Sequence, residues 1–160
     1  DALIAQLHKL KTDIFMELIG KGKLPLRPGV QRLVDEAIAA GTTLAVCSTS
    51  NERAVQSVVD VLLGPARSAK ITVFAGDVVA AKKPAPDLYH LAARTLGLAP
   101  ETCVVVEDSN NGLRAAKAAG MHCIVTISSY TADEDFSLAD KIVRDLDDGI
   151  GIDVCRGLAA

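Results

Sequence analysis

"VVVEDSNNGLRAAKAAG", residues 104–120, reads as an apolar strand, a small polar turn and an alanine-rich helix. A valine run of this kind is the signature of a strand buried on both faces. Two carboxylates, Glu107 and Asp108, stand side by side where that strand ends. Like charges this close repel, and removal from water sharpens the repulsion. A hard divalent cation resolves the conflict, because magnesium takes one or two carboxylates and completes its shell with waters and substrate oxygens. The alternative needs no ligand: Glu107 faces solvent and Asp108 caps the next helix.

The same grammar extends in both directions. Upstream, "LPLRPGV" leads into a helix "VQRLVDEAIAAG" that ends at Gly41, then a strand "TTLAVCSTS" and a helix through "ERAVQSVVDVLL". "KITVFAGD" reads as a second strand, and "KKPAPDLYHLAARTLG" as a loop and a helix that stops at Gly97. Downstream, "MHCIVTIS" is a fourth strand and "ADKIVRDL" holds a short fifth. Strands alternating with helices over short connections specify an α/β fold, a Rossmann-like parallel sheet with helices on both faces. One element stands outside the alternation. Leu3, Leu7, Leu10, Ile14 and Leu18 recur at three- and four-residue steps, which predicts a leading helix belonging to a separate subdomain.

Ligands of such sheets collect outside the carboxyl ends of the strands. Three polar clusters fall there: Ser48-Thr49-Ser50-Asn51, Lys82-Lys83, and Glu107-Asp108-Ser109-Asn110. Ser48 closes its strand just ahead of a helix start, where a hydroxyl and unpaired N–H groups make an anion site. The competing reading is a plain N-cap by Ser50 or Asn51. Lys83 precedes Pro84, which holds its backbone out of the helix, so it is the better placed lysine, with Lys82 a solvated neighbour. Hydroxyls, a cation and paired carboxylates at one rim suit phosphate-plus-metal chemistry. His8, His90 and His122 lie away from these rims and read as structural or surface residues.

Composition narrows the field. At 160 residues the chain has the length of one domain, and no apolar stretch is long enough to cross a bilayer. A net charge of −3 and few aromatics argue against a nucleic-acid partner. Cys47, Cys103, Cys123 and Cys155 show no metal-binding spacing, and Cys47 and Cys123 fall inside strands, as small buried thiols do in a reducing compartment. The chain begins at Asp1 without a methionine or a targeting segment, and its start has the character of a cut.

Taken together, a strand ending in Ser, then Lys-Pro-x-Pro-Asp, then strand-Glu-Asp-Ser-x-x-Gly resembles the second, third and fourth motifs of the haloacid dehalogenase superfamily. "LRPGV", "CSTSNERAV", "AGDVV", "KKPAPDLY", "VVVEDSNNGL" and "YTADEDF" look like the CbbY-like sugar-phosphate phosphatases of that superfamily, above all those of photosynthetic eukaryotes. The family activity is removal of the 1-phosphate from xylulose-1,5-bisphosphate. The resemblance implies Ser48 and Lys83 as catalytic groups, Glu107 and Asp108 as ligands of Mg2+, and a small-molecule sugar phosphate as the partner. It also implies Thr49, Ser50 and Asn51 at the substrate phosphate, Arg27 as a contact to the sugar or its far phosphate, and a chloroplast stroma location.

The resemblance has one large departure. The family's first motif, Asp-x-Asp-x-[Thr/Val], supplies the nucleophile and is absent; "DAL" at Asp1 and "DEDF" at 133–136 lie in the wrong context. Residues 1–22 are therefore expected to be the last part of a helical cap, and 23–160 the α/β core without its first strand. The expected enzyme is a phosphatase whose nucleophile lies upstream, and this chain alone is expected to be inactive. Two other expectations stand beside it. One is a non-catalytic remnant or subunit working through protein contacts. The other keeps the superfamily and changes the reaction, to a phosphomutase or a dehalogenase, although Asn51, where mutase relatives tend to carry Lys or Arg, favours a phosphatase.

Overall fold

The computed structural model describes residues 2–20 and 25–160, without side-chain detail at 2, 5, 8 and 9. His8, and "DAL" at its Asp1, fall outside the described residues or side chains. In chain order the elements are α1 (Ala2–Gly20), α2 (Val30–Ala39), β1 (Leu44–Ser48), α3 (Glu52–Leu63), α4 (Pro65–Ser68) and β2 (Ile71–Ala75). There follow α5 (Asp87–Leu96), a 3-10 turn (Pro100–Thr102), β3 (Val104–Glu107), α6 (Asn110–Ala118), β4 (His122–Thr126), β5 (Lys141–Val143) and α7 (Ile152–Leu158).

Local chemistry sets the element ends. Asn51 caps α3 by accepting a hydrogen bond from the Ala54 amide at 3.3 Å, and Glu52 places negative charge in the first turn. Ser109, rather than Asp108, caps α6, accepting from the Gly112 amide at 3.2 Å. Gly97 closes α5 in the left-handed conformation at φ 68°, which a side chain would resist. The short helices α4 and α7 and the Pro100 turn were not foreseen from periodicity, because each is too short to repeat an apolar face.

Every ladder is parallel. β1 pairs with β2, with Ser48 opposite Ala75. β3 pairs with β4, and β4 with β5, so that β4 is the centre of its sheet. Cys123, Ile124 and Val125 of β4 are fully buried, as a strand covered on both faces requires. Alternation sends them to opposite cores. Cys123 and Val125 pack with Tyr89 and Ala93 of α5, Leu113 and Ala116 of α6, and Phe136. Ile124 packs with Leu146 and Ile150 beside Val30 and Leu33 of α2 and Val154 and Leu158 of α7. Helices thus cover both faces, and the small alanines of α6 let that helix approach the sheet closely.

The one expected sheet is divided. Among the described residues no ladder joins β1 to β3, although their carboxyl ends are within reach of one lysine side chain (below). A slot runs between them. The valine run of β3 is accordingly less buried than its composition predicts: Val106, on the same face as Val104, is 40% exposed. The leading helix α1 also forms as its periodicity predicts and packs against α3. Its Ile19 is buried, while Leu3, Leu7, Leu10 and Ile14 stay 49–66% exposed.

Candidate active site

Ser48 and Glu107 are the last residues of β1 and β3, so the parallel strand direction carries both to the same rim on either side of the slot. Lys83 joins the two sides. From the loop ahead of α5 its ammonium donates to the Cys47 carbonyl of β1 at 3.1 Å and to the Glu107 carboxylate of β3, and it also donates to the Tyr89 hydroxyl at 3.0 Å. Its side chain is 14% exposed and that of Glu107 is 11% exposed. A charge pair this deep is tolerable only because each partner is also hydrogen-bonded. Lys82, by contrast, is exposed and pairs with Asp77 at 2.7 Å, in keeping with a solvated neighbour. The Lys83–Pro84 peptide bond is cis.

Tyr89 was not singled out from the sequence. Within "DLYHLAA" it reads as one more apolar position of α5, and it is buried there beside Leu88, Ala92 and Ala93. Its hydroxyl donates to Glu107, and its ring lies under the Lys83 ammonium, 4.7 Å from Nζ to the centroid. Burial, with the Glu107 charge adding to it, pushes the phenol well above its ordinary pKa, so it stays a neutral donor. Burial likewise pushes the Cys47 thiol up to about 11.

The hydroxyl cluster after β1 is partly occupied by its own turn. Ser48 Oγ accepts from the Ser50 amide at 3.2 Å, and the Ser50 carbonyl accepts from the Gly76 amide at 2.8 Å. Asn51 spends its carboxamide oxygen on the α3 cap. Thr49 and Ser50 are exposed, with their side chains turned to solvent. The Ser48 hydroxyl keeps its own hydrogen to donate.

Glu107 and Asp108 part company. Glu107 turns inward to Lys83 and Tyr89, whereas Asp108 is exposed and carries no hydrogen bond or ion pair among the described residues. The capping role open to Asp108 belongs to Ser109 instead. Residues 131–136 fold over the start of α6: the Glu134 carboxylate accepts from the Asn110 amide, and the Asp135 carbonyl accepts from the Asn110 side chain. Among the described residues no group of three His, Cys, Asp or Glu side chains converges as a closed metal site. An oxygen-only, open-sided donor pair still fits magnesium, which keeps waters and substrate oxygens in its shell. It does not fit zinc, whose sites favour nitrogen and sulfur.

Arg27 bonds at the carboxyl ends of β4 and β5, where the Thr126 hydroxyl it donates to in turn reaches the Glu107 carbonyl at 3.4 Å. Its guanidinium donates to the Thr126 carbonyl at 3.1 Å and hydroxyl at 2.8 Å, to the Ile127 carbonyl at 2.8 Å and to the Arg144 carbonyl at 2.9 Å. Both terminal nitrogens are engaged, so Arg27 clamps the ends of β4 and β5 together. Two open hollows of ≈ 500 and ≈ 600 Å³ lie along α2 and beside the start of α6, and neither is lined by Ser48, Lys83 or Glu107.

His90 sits on α5 and His122 at the amino end of β4, where its Nδ1 is 3.6 Å from Asp140. All four cysteines are free thiols.

The parallel α/β core thus carries a serine, a lysine and an acidic pair at its strand ends. The family model for haloacid dehalogenase-like hydrolases matches residues 2–120, and the chain belongs to that family. It is 65% identical over 139 residues to a CBBY-like protein of Arabidopsis thaliana, covering 87% of this chain and 44% of that protein. It is 46% identical over 141 residues to the protein CbbY of Cereibacter sphaeroides, covering 88% of this chain and 61% of that one. The chain therefore spans about half the length of these curated relatives. Among solved structures, CbbY from Rhodobacter sphaeroides in complex with phosphate superposes with a TM-score of 0.88 at 41% identity, over 96% of this chain and 68% of that one. A variant of that protein in complex with xylulose-1,5-bisphosphate gives 0.87 at 42% identity, over 94% and 67%.

Proposed function

We propose that this chain is part of a magnesium-dependent phosphomonoester hydrolase acting on a small sugar phosphate, xylulose-1,5-bisphosphate being the first candidate. The observation that carries the reading is the Lys83 ammonium, which joins the carbonyl of Cys47, next to Ser48 at the end of β1, to the carboxylate of Glu107, next to Asp108 at the end of β3, across two strands that share no ladder among the described residues. The CbbY structure holding that bisphosphate supports the substrate class. The 65% identical plant relative supports a chloroplast stroma location.

In this reading a further parallel strand fills the slot and brings an aspartate to the rim, with residues 2–20 the tail of a cap. Its carboxylate attacks phosphorus, the bond to the sugar oxygen breaks as that oxygen takes a proton from the second aspartate of the same Asp-x-Asp motif, and water then hydrolyses the phosphoaspartate to release inorganic phosphate. Lys83 offsets the negative charge of nucleophile and phosphoryl oxygens together. The Ser48 hydroxyl donates to a phosphoryl oxygen, and the exposed Thr49 and Ser50 border the same anion. Asp108, with Glu107 directly or through water, would hold magnesium, which supplies further neutralisation of the phosphoryl charge. The test is phosphate release by the full-length protein from a sugar-phosphate panel with magnesium. Asp108→Asn and Lys83→Ala should each cut turnover at least about a hundredfold; near-wild-type rates in both would sink the assignment.

A second reading, a subunit acting through protein contacts, draws on the same slot, since half-exposed Val106 invites a covering partner. A full-length protein that is monomeric in size-exclusion chromatography and active would remove it.

A further inference from the structure

The Lys83 ammonium has three hydrogens to donate, and the fold supplies three acceptors: the Cys47 carbonyl, the Tyr89 hydroxyl and the Glu107 carboxylate. It therefore has no donor to spare for an incoming anion. To touch a phosphoryl group or a second carboxylate it must release one partner. Releasing Glu107 would strand a carboxylate that is only 11% exposed, at the cost of an unsatisfied buried charge.

Tyr89 changes that balance. Its one hydrogen goes to Glu107 and its lone pairs face Lys83, so a single hydroxyl satisfies the base and the acid together. It is itself 5% exposed, walled in by α5 and α6, and so cannot drift. We infer that Tyr89 is a positioning residue that holds Glu107 in place while Lys83 exchanges Glu107 for the reacting anion. The hydroxyl stays on the carboxylate when the ammonium leaves, and it stays under the ammonium when the substrate departs. Phenylalanine at 89 would keep the ring beneath Nζ and lose both hydrogen bonds. The kinetic consequence rests on the phosphatase reading above, whereas the placement of Lys83 does not.

The experiment uses the full-length protein with Tyr89→Phe, and with Tyr130→Phe as a control at a 95% exposed phenol. Proton exchange of the Lys83 ammonium is read by nitrogen-15 NMR, its signal assigned by loss in Lys83→Arg, alongside steady-state kinetics with magnesium. Tyr89→Phe should speed that exchange and lower kcat, each about tenfold, with KM within about twofold and the fold intact by circular dichroism. Tyr130→Phe should change neither. Unchanged exchange at Lys83 in Tyr89→Phe would overturn the inference, even if kcat fell, because the tyrosine would then matter for packing alone. Faster exchange with unchanged kcat in an active enzyme would overturn it too. Faster exchange in a protein that hydrolyses no sugar phosphate would uphold the positioning and reject the phosphatase.

Discussion

The Glu107 carboxylate lies against the first turn of α6 at Gly112, so closely that a Cβ there would overlap its carbon and both oxygens. Gly112 is needed for the space it leaves, since its backbone is ordinary helix. Gly112→Ala must push Glu107 away from Lys83 and Tyr89. Turnover of the full-length protein is expected to fall at least about tenfold, because a displacement of this kind misplaces the reacting groups. Overpacking should also lower stability by about 1–3 kcal/mol, read as the urea midpoint. Wild-type turnover in this variant would mean that the placement of Glu107 is dispensable.

Arg27 is expected to matter for stability before it matters for substrate. Arg27→Ala leaves the carbonyls of Thr126, Ile127 and Arg144 without their donor, a loss of about 2–3 kcal/mol. Arg27→Lys should recover only part of it, since one ammonium cannot reproduce a planar fork. In folded full-length protein, KM for the sugar phosphate should stay within about twofold of wild type. A large rise in KM at unchanged stability would return Arg27 to the substrate site.

Half-buried Cys47 and buried Cys123 make stability fall at high pH. Cys47 is raised to about 11 and Cys123 to about 12, in both cases chiefly by burial. In the unfolded chain they ionise near their ordinary value, so between about pH 9 and 11 the unfolded state holds fewer protons than the native one. Their contribution is present below that window and lost as pH rises through it. Urea midpoints should be level from pH 7 to 8 and drop by pH 10.5, and Cys47→Ala with Cys123→Ala should flatten part of the decline. A midpoint that rises across the window would contradict the burial of both thiols.

The 160-residue chain by itself is expected to release no phosphate, since the Asp-x-Asp-x-[Thr/Val] motif that supplies the family's nucleophile does not occur in its sequence. With β1 and β3 unladdered along the slot, it should also associate with itself as concentration rises, seen by light scattering after size exclusion. Turnover by this chain alone would locate a nucleophile within it and overturn the reading.

Much of this was legible in local pattern. β1, β3, β4 and β5 and the helices α2, α3, α5 and α6 follow from periodicity, glycine stops and hydroxyl or amide caps. Ser48, Lys83 and Glu107 were placed at one rim because parallel strands end on the same side. What escaped is tertiary. Tyr89 looks apolar in its helix, and only packing turns its hydroxyl toward Glu107. Arg27 was offered as a sugar or phosphate contact through the resemblance alone, and its bonds to Thr126, Ile127 and Arg144 join residues far along the chain that no local pattern announces. The division of the sheet left only one trace, the absent first motif, and the exposure of Val106 is its physical expression.

The Arg27 clamp also says something about the order in which the molecule is made. Its acceptors lie 99, 100 and 117 residues downstream. At ribosomal speeds that separation corresponds to a wait on the order of ten seconds after Arg27 emerges. The β1–β2 pair, all before residue 76, can be laid down well within that wait. The half bearing Ser48 is thus available before the half bearing Glu107 exists, and the closure entropy of so long a loop is met only when β4 and β5 arrive. The rim's residues are all made before the strands that Arg27 must clamp.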